Sequence, residues 1–142
     1  MSTIDIEISE VGPRDGLQSI APIMATADKK AWISALATAG IPEIEVGSFV
    51  PAEVLPQLAD AAELVRHAKS IPGLTVAVLV PNLRGAQNAL AAGADKMTIP
   101  LSVSETHSLK NLKRTHEQVL QEVRGIRSAI DALPAAARPK LE

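Results

Sequence analysis

With 142 residues, 46% of them hydrophobic and 21% charged, the chain has the material for one ordinary domain with a real core. Its 14 basic and 16 acidic residues leave a formal net charge of −2, so neither nucleic acid nor an anionic membrane is expected as the main partner. The absence of cysteine excludes disulfides, cysteine metal sites and cysteine nucleophiles within the chain.

The N-terminal "MSTIDIEISEV" has no basic region and no long apolar stretch, so neither a signal peptide nor a membrane span is expected, and the reading is cytoplasmic. "IDIEISEV" (4–11) alternates isoleucine with acidic or polar residues and reads as a strand. "ATADKKAWISALATAG" (25–40) is an Ala-rich helical pattern with Gly40 as its stop, and Trp32 on it reads as helix–sheet packing. "PEIEVGSF" (42–49) is a second short strand. "LPQLADAAELVRHAKSIPG" (55–73) is helical, with Leu55, Leu58, Ala62 and Val65 on one face. "LTVAVLV" (74–80) is a continuous apolar strand, as expected when both faces are buried. A helix over 82–93 ends at Gly93, and "DKMTIPL" (95–101) forms a fourth strand. From about Lys110 to Ala132 one long amphipathic helix is expected, with Leu112, Val119, Val123, Ile126 and Ile130 facing the core and "KNLKR" on its solvated side. The closing "PKLE" can begin a fifth strand.

The order β-α-β-α-β-α-β-α implies a parallel sheet, and no change of composition divides the chain into two domains. Four βα units make either a small open sheet or the N-terminal half of a (β/α)8 barrel, whose full form needs about 250 residues. In a barrel the reactive side chains stand just beyond the carboxyl ends of the strands. The exits here are "GPRDGLQ", "GSF" next to Glu45, "PNLRG" and "PLSVSETHSLKN". Asp15 offers a hard oxygen ligand that suits Mg2+ or Mn2+. Arg14 offers a fixed cation with several donors for an enolate or carboxylate oxygen. Glu45, one strand over, can hold Arg14 or relay a proton, and Gln18 can bridge ligand and loop. Gly12, Pro13 and Gly16 let the backbone turn sharply beside a ligand. The plainer alternative is a structural turn with a surface ion pair.

The strings "EVGPRDGLQ", "IEVGSFV", "LVPNLRGAQNALAAGADKM" and "SVSETHSLKN" resemble 3-hydroxy-3-methylglutaryl-CoA lyase, a member of the TIM-barrel metallolyases that share an Asp–Arg–Glu set. The resemblance runs from about Ile8 to Lys110. It implies the N-terminal half of a (β/α)8 barrel over 1–142, cut between the fourth helix and strand five. It implies a metal-assisted retro-Claisen cleavage of the acyl-CoA to acetyl-CoA and acetoacetate, chemistry of leucine degradation and ketone-body formation. Asp15 would then be a ligand of Mg2+ or Mn2+, Arg14 would stabilise the enolate, and Glu45 would complete the set. Gln18, Ser48, Asn82, Ser104 and Glu105 fall in matching loops and are carried over as substrate-binding residues. The family's His-x-His pair and Asn metal ligands, and its Gly-rich Cys loop, have no counterpart in this chain. Of the three histidines, His67 and His116 are expected on helix surfaces and His107 in the loop after strand four. The piece alone is therefore expected to be inactive. The first reading is a fragment of a full-length lyase; in the second, two copies pair or a separate, complementing C-terminal half docks to close the barrel. The alternative is a non-catalytic half barrel that binds a CoA ester or a partner chain.

Overall fold

A computed structural model describes residues 6–142. Its strands are β1 (Ser9–Glu10), β2 (Glu43–Ser48), β3 (Thr75–Leu79), β4 (Lys96–Thr98) and β5 (Lys140–Leu141). They form one parallel sheet in the order β1-β2-β3-β4-β5. Between them run α1 (Thr26–Thr38), α2 (Ala61–Lys69), α3 (Leu83–Ala92), α4 (Glu105–Asn111) and α5 (His116–Asp131). A strand order that never reverses, with crossovers of one hand, puts the helices that pack on the sheet on the same side. The core bears this out: one cluster joins Ile33 of α1, Leu64 and Val65 of α2, Ala86 and Ala89 of α3, and Ile126 and Ile130 of α5 to Ile44, Val46, Val76, Val78 and Met97 of the sheet. Such a singly wound sheet is the wall of a barrel, and the opposite face is the barrel's interior. The half-barrel expectation therefore holds.

Several boundaries differ from expectation, each for a physical reason. Residues 4 and 5 of the expected first strand lie outside the described residues. Among those described, only Ser9 and Glu10 pair, because β2 begins opposite Ser9 and the chain turns away at Gly12. The second helix starts at Ala61 rather than near Leu55, since Pro51 and Pro56 hold the preceding segment in turns and a short 3-10 helix, Pro56–Leu58. β4 is three residues long and stops before Pro100, which has no N–H for a ladder. The single helix expected over 110–132 is two. Lys113 takes a left-handed φ of 56°, and Thr115 restarts the chain with a capping box to Gln118. The fifth strand is entered rather than stopped short of: Lys140 pairs with Lys96 and Leu141 with Met97.

A bulge in β2 decides what faces the interior. Glu45 pairs with Ala77, but Gly47 pairs with Val78 and Ser48 with Leu79. Val78 is in the helix-side core, so Gly47 also faces the helices, and Ser48 turns inward with Leu79. On a regular strand Glu45 and Ser48, three apart, would point to opposite faces. Glycine is required at the bulge because a Cβ on Gly47 would stand 2.9 Å from the Cβ of Ala61 on α2.

Candidate active site

The segment after β1 is a single wide helical turn, Gly12–Gly16, in which the amides of Arg14 and Asp15 both bond the carbonyl of Val11, at 3.0 and 2.7 Å. Its entry is fixed from the side. The Gly12 amide donates to Glu10 Oε1 at 2.6 Å. A Cβ on Gly12 would meet that same carboxylate oxygen at 2.8 Å and the Trp32 ring at 3.1 Å. Trp32 is thus the packing residue expected, and the object it packs on is this turn.

The turn carries Arg14 to Glu45. Arg14 Nη2 donates to Glu45 Oε2 at 2.9 Å, and Nη1 donates to Asp15 Oδ1 at 2.9 Å. The guanidinium therefore spans two carboxylates of unlike surroundings. Glu45 has 5% of its side chain exposed and Arg14 14%, whereas Asp15 has 57%. Two buried atoms of the set, Arg14 Nε and Glu45 Oε1, have no hydrogen-bond partner among the described residues. Buried polar atoms are nearly always paired, so this donor and this acceptor stand uncompensated among the described residues.

The other expected residues are distributed differently. Ser48 is buried on the inward side of β2, and its Oγ accepts from the Val50 amide at 3.3 Å. Gln18 follows the turn and is half-buried. Asn82 caps α3, its Oδ1 accepting from the Gly85 amide at 2.9 Å. Ser104 caps α4 through the His107 amide at 3.3 Å, and Glu105 is the exposed first residue of that helix. The structure thus joins Arg14, Asp15 and Glu45 directly, while the hydrogen bonds of Asn82 and Ser104 are spent on helix ends. His107 lies on α4, not in a loop, and its Nδ1 stands 2.7 Å from Ser102 Oγ. His67 is not a free surface residue. It is half-buried, with Nε2 3.0 Å from Ser34 Oγ and 3.2 Å from the Lys30 carbonyl.

Sequence reading missed what braces the site. Lys29, 1% exposed, donates to the Gln57 carbonyl at 2.6 Å and to Asp60 at 2.7 and 2.9 Å. Gln57 in turn donates to the Ile20 carbonyl at 2.8 Å. This buried cluster ties the loop after β1 to the loop after β2. Arg114 Nη1 holds the Pro81 carbonyl at 3.1 Å, and Glu122 accepts from the Leu83 amide at 2.9 Å, which pins the exit of β3. Asp60 is the N-cap residue of α2, but its carboxylate caps nothing and instead accepts from Lys29 and Thr26.

Asp15, with one oxygen on Arg14 and more than half its side chain exposed, can give a cation one ligand. Among the described residues no group of three or more His, Cys, Asp or Glu comes together as a cage. One carboxylate holds Mg2+ weakly, so the residues described here do not by themselves fit a metal.

The HMGL-like family model matches residues 5–135. The chain belongs to the HMGL-like family. Among curated relatives, hydroxymethylglutaryl-CoA lyase YngG of Bacillus subtilis is 42% identical over 115 residues, 81% of this chain and 38% of that protein. The mitochondrial hydroxymethylglutaryl-CoA lyase of Mus musculus is 38% identical over 133 residues, 94% of this chain and 41% of that protein. Among solved structures, an HMG-CoA lyase from Acinetobacter baumannii in complex with coenzyme A and 3-methylmalate superposes with a TM-score of 0.88 at 31% identity, covering 99% of this chain and 45% of that one. The Bacillus subtilis HMG-CoA lyase does so with a TM-score of 0.87 at 36% identity, covering 96% and 44%. This HMGL-like chain thus spans less than half the length of the relatives it matches, and its sheet corresponds to the N-terminal portion of their TIM barrel.

Proposed function

We propose that this chain supplies one half of the active site of a 3-hydroxy-3-methylglutaryl-CoA lyase, and that the other half comes from the C-terminal half of the barrel, in the same protein or in a partner chain. The observation that carries this is Arg14, held at 2.9 Å by Glu45 on one side and Asp15 on the other, with a buried donor and acceptor of the set still open. In the reaction the tertiary hydroxyl loses its proton and the bond between C2 and C3 breaks. The electron pair moves onto the thioester as the acetyl-CoA enolate, the hydroxyl carbon becomes the ketone of acetoacetate, and C2 takes up a proton. Charge develops on the thioester oxygen, and a preorganised cation in a water-poor site is what such a step needs. Arg14 fills that role, and its two carboxylate partners keep the guanidinium from swinging. Glu45, buried and inward, orients it and leaves Oε1 to accept from the substrate hydroxyl or a water on it. Ser48 and Gln18 line the same end of the strands as substrate contacts, with Asn82, Ser104 and Glu105 at the rim of the neighbouring exits.

Mg2+ or Mn2+ at Asp15 would polarise the hydroxyl and the carboxylate of the substrate, with further ligands drawn from whatever completes the barrel. No helix among the described residues is long and apolar enough to cross a membrane. The curated relatives include both mitochondrial and cytoplasmic lyases, and a cytoplasmic place is the reading adopted for this chain. The half-barrel form supports a second reading, a non-catalytic module that binds a CoA ester or a partner chain. β1, at the edge of the sheet, has Ile6 and Ile8 exposed beside it, and such an edge invites pairing.

The test is to incubate the protein at its natural length with 3-hydroxy-3-methylglutaryl-CoA and follow acetoacetate with and without a chelator. Metal-dependent release of acetoacetate, lost in Asp15→Asn, supports the lyase. Binding without turnover supports the module, and full activity in Asp15→Asn removes the role given to that residue.

A further inference from the structure

The interior face carries a second set of charges that the lyase reading does not use. Lys96 Nζ lies 2.9 Å from Glu43 Oε1 and 2.7 Å from Glu142 Oε2, with 17% of its side chain exposed against 7% for Glu43. The strand ladders locate this cation relative to the reactive set. Glu45 pairs with Ala77, and Ala77 pairs with Lys96, so Lys96 stands in the same row as Glu45, two strands across. Adjacent strands are about 4.8 Å apart, so the two Cα atoms are roughly 10 Å apart, and extended Lys and Glu side chains together bridge that distance. Ala77, on the strand between them, shares that row. Glu43 is further off, beginning β2 in the row of Thr75. Lys96 reaches it all the same.

A lysine whose row holds Glu45 thus bonds Glu43 instead, and Glu45 keeps a buried Oε1 without a partner among the described residues. Lys96 also holds its proton more tightly than an ordinary lysine, chiefly through the hydrogen bond to Glu142, with Glu43 adding to it. Its charge is therefore permanent at neutral pH. An ammonium on Glu45 would compete with Arg14 for that carboxylate and close the open acceptor.

We propose that Glu43 is a positioning residue: it holds Lys96 away from Glu45, so that Glu45 serves Arg14 and the ligand alone. Glu142 shares the ammonium from the other side. The inference rests on the reading of Arg14 and Glu45 as reactive groups, and the experiment separates the two.

The variants are Glu43→Gln, Glu43→Asp and the double variant Glu43→Gln/Lys96→Met, made in the protein at its natural length and assayed with 3-hydroxy-3-methylglutaryl-CoA. Glu43→Gln releases the lysine, and kcat is expected to fall about tenfold or more with KM little changed. Glu43→Asp keeps a carboxylate for Lys96 and is expected to stay within about threefold of the parent, as is the double variant, which has no lysine to release. Recovery in the double variant is what a merely structural role would not give. A double variant as slow as Glu43→Gln, or a Glu43→Asp loss equal to it, overturns the proposal. A crystal structure of Glu43→Gln provides the arm that is independent of turnover. Lys96 Nζ within hydrogen-bonding distance of Glu45 supports the proposal even if the parent cleaves nothing, in which case the lyase reading alone has failed. An unchanged Arg14–Glu45 pair with Lys96 left on Glu142 overturns it.

Discussion

The two faces of β2 differ in every respect that matters to function. Toward the helices it presents Ile44 and Val46, both fully buried among Leu64, Val65, Val76 and Val78. Toward the barrel interior it presents Glu43, Glu45 and, by way of the bulge, Ser48. One face is closed, apolar and complete within this chain. The other is charged, and it keeps a polar atom without a partner. Burial alone does not distinguish them, since Glu43 and Glu45 are as inaccessible as many core residues. What distinguishes them is that the helix face is packed with apolar side chains, whereas the inner face keeps a buried carboxylate oxygen without a partner among the described residues. Stability should therefore respond mainly to changes on the first face, and turnover to changes on the second.

The strongest separation is expected at Glu45. Glu45→Gln keeps an acceptor for Arg14 but removes the charge that fixes it, so kcat for acyl-CoA cleavage should drop about 10²-fold, near 2.7 kcal/mol of barrier. A drop that came with unfolding in circular dichroism, rather than with the fold intact, would blur the division between the faces. On the helix side Leu64→Ala should cost about 2–5 kcal/mol in urea unfolding while the folded fraction keeps its kcat. Gly47→Val tests the junction of the two faces. Its side chain would push on Ala61, and about 1–3 kcal/mol of stability should be lost. The bulge should relax as well, with Ser48 moving from its inward position in a crystal structure.

The smallest effect expected is a pH dependence. The carboxylates around Lys96, Glu142 first, raise its pKa above 10.5 in the folded state. The stability this gives is fully present below the unfolded value near 10.5 and is lost as pH rises through the higher folded value. Thermal unfolding followed from pH 9 upward should show an alkaline decline that Lys96→Met reduces. This decline arises on the inner face and should leave the helix-face packing intact.

The helix face was legible because it is written in periodicities. "LTVAVLV", the Leu64–Val65–Ala68 side of α2 and the Ile126–Ile130 side of α5 announce burial by residue type alone. The triad of Arg14, Asp15 and Glu45 was legible because a Gly/Pro-rich turn and an acidic strand residue stand out against their surroundings. The break at Lys113 was in principle readable from the Thr115–Gln118 capping pair but was masked by an amphipathic stripe that continues across it. The bulge had its signal in Gly47, a glycine inside a strand. The ion partners of Lys29 and Lys96 were not legible, because they join residues 31 to 53 positions apart whose pairing only the register fixes. For the same reason Asn82 and Ser104, alike in sequence as candidates for a pocket, have oxygens that serve helix ends.

The most direct measurement is the rate of 3-hydroxy-3-methylglutaryl-CoA cleavage by Arg14→Met beside the parent protein at its natural length, with cooperative unfolding checked on the same samples. The account predicts a variant that still folds and binds the thioester but has lost about 10³-fold in kcat, the scale of one preorganised donor removed from a developing oxyanion. Full activity without the guanidinium would contradict it, since Arg14 is the cation that contacts the buried Glu45 among the described residues.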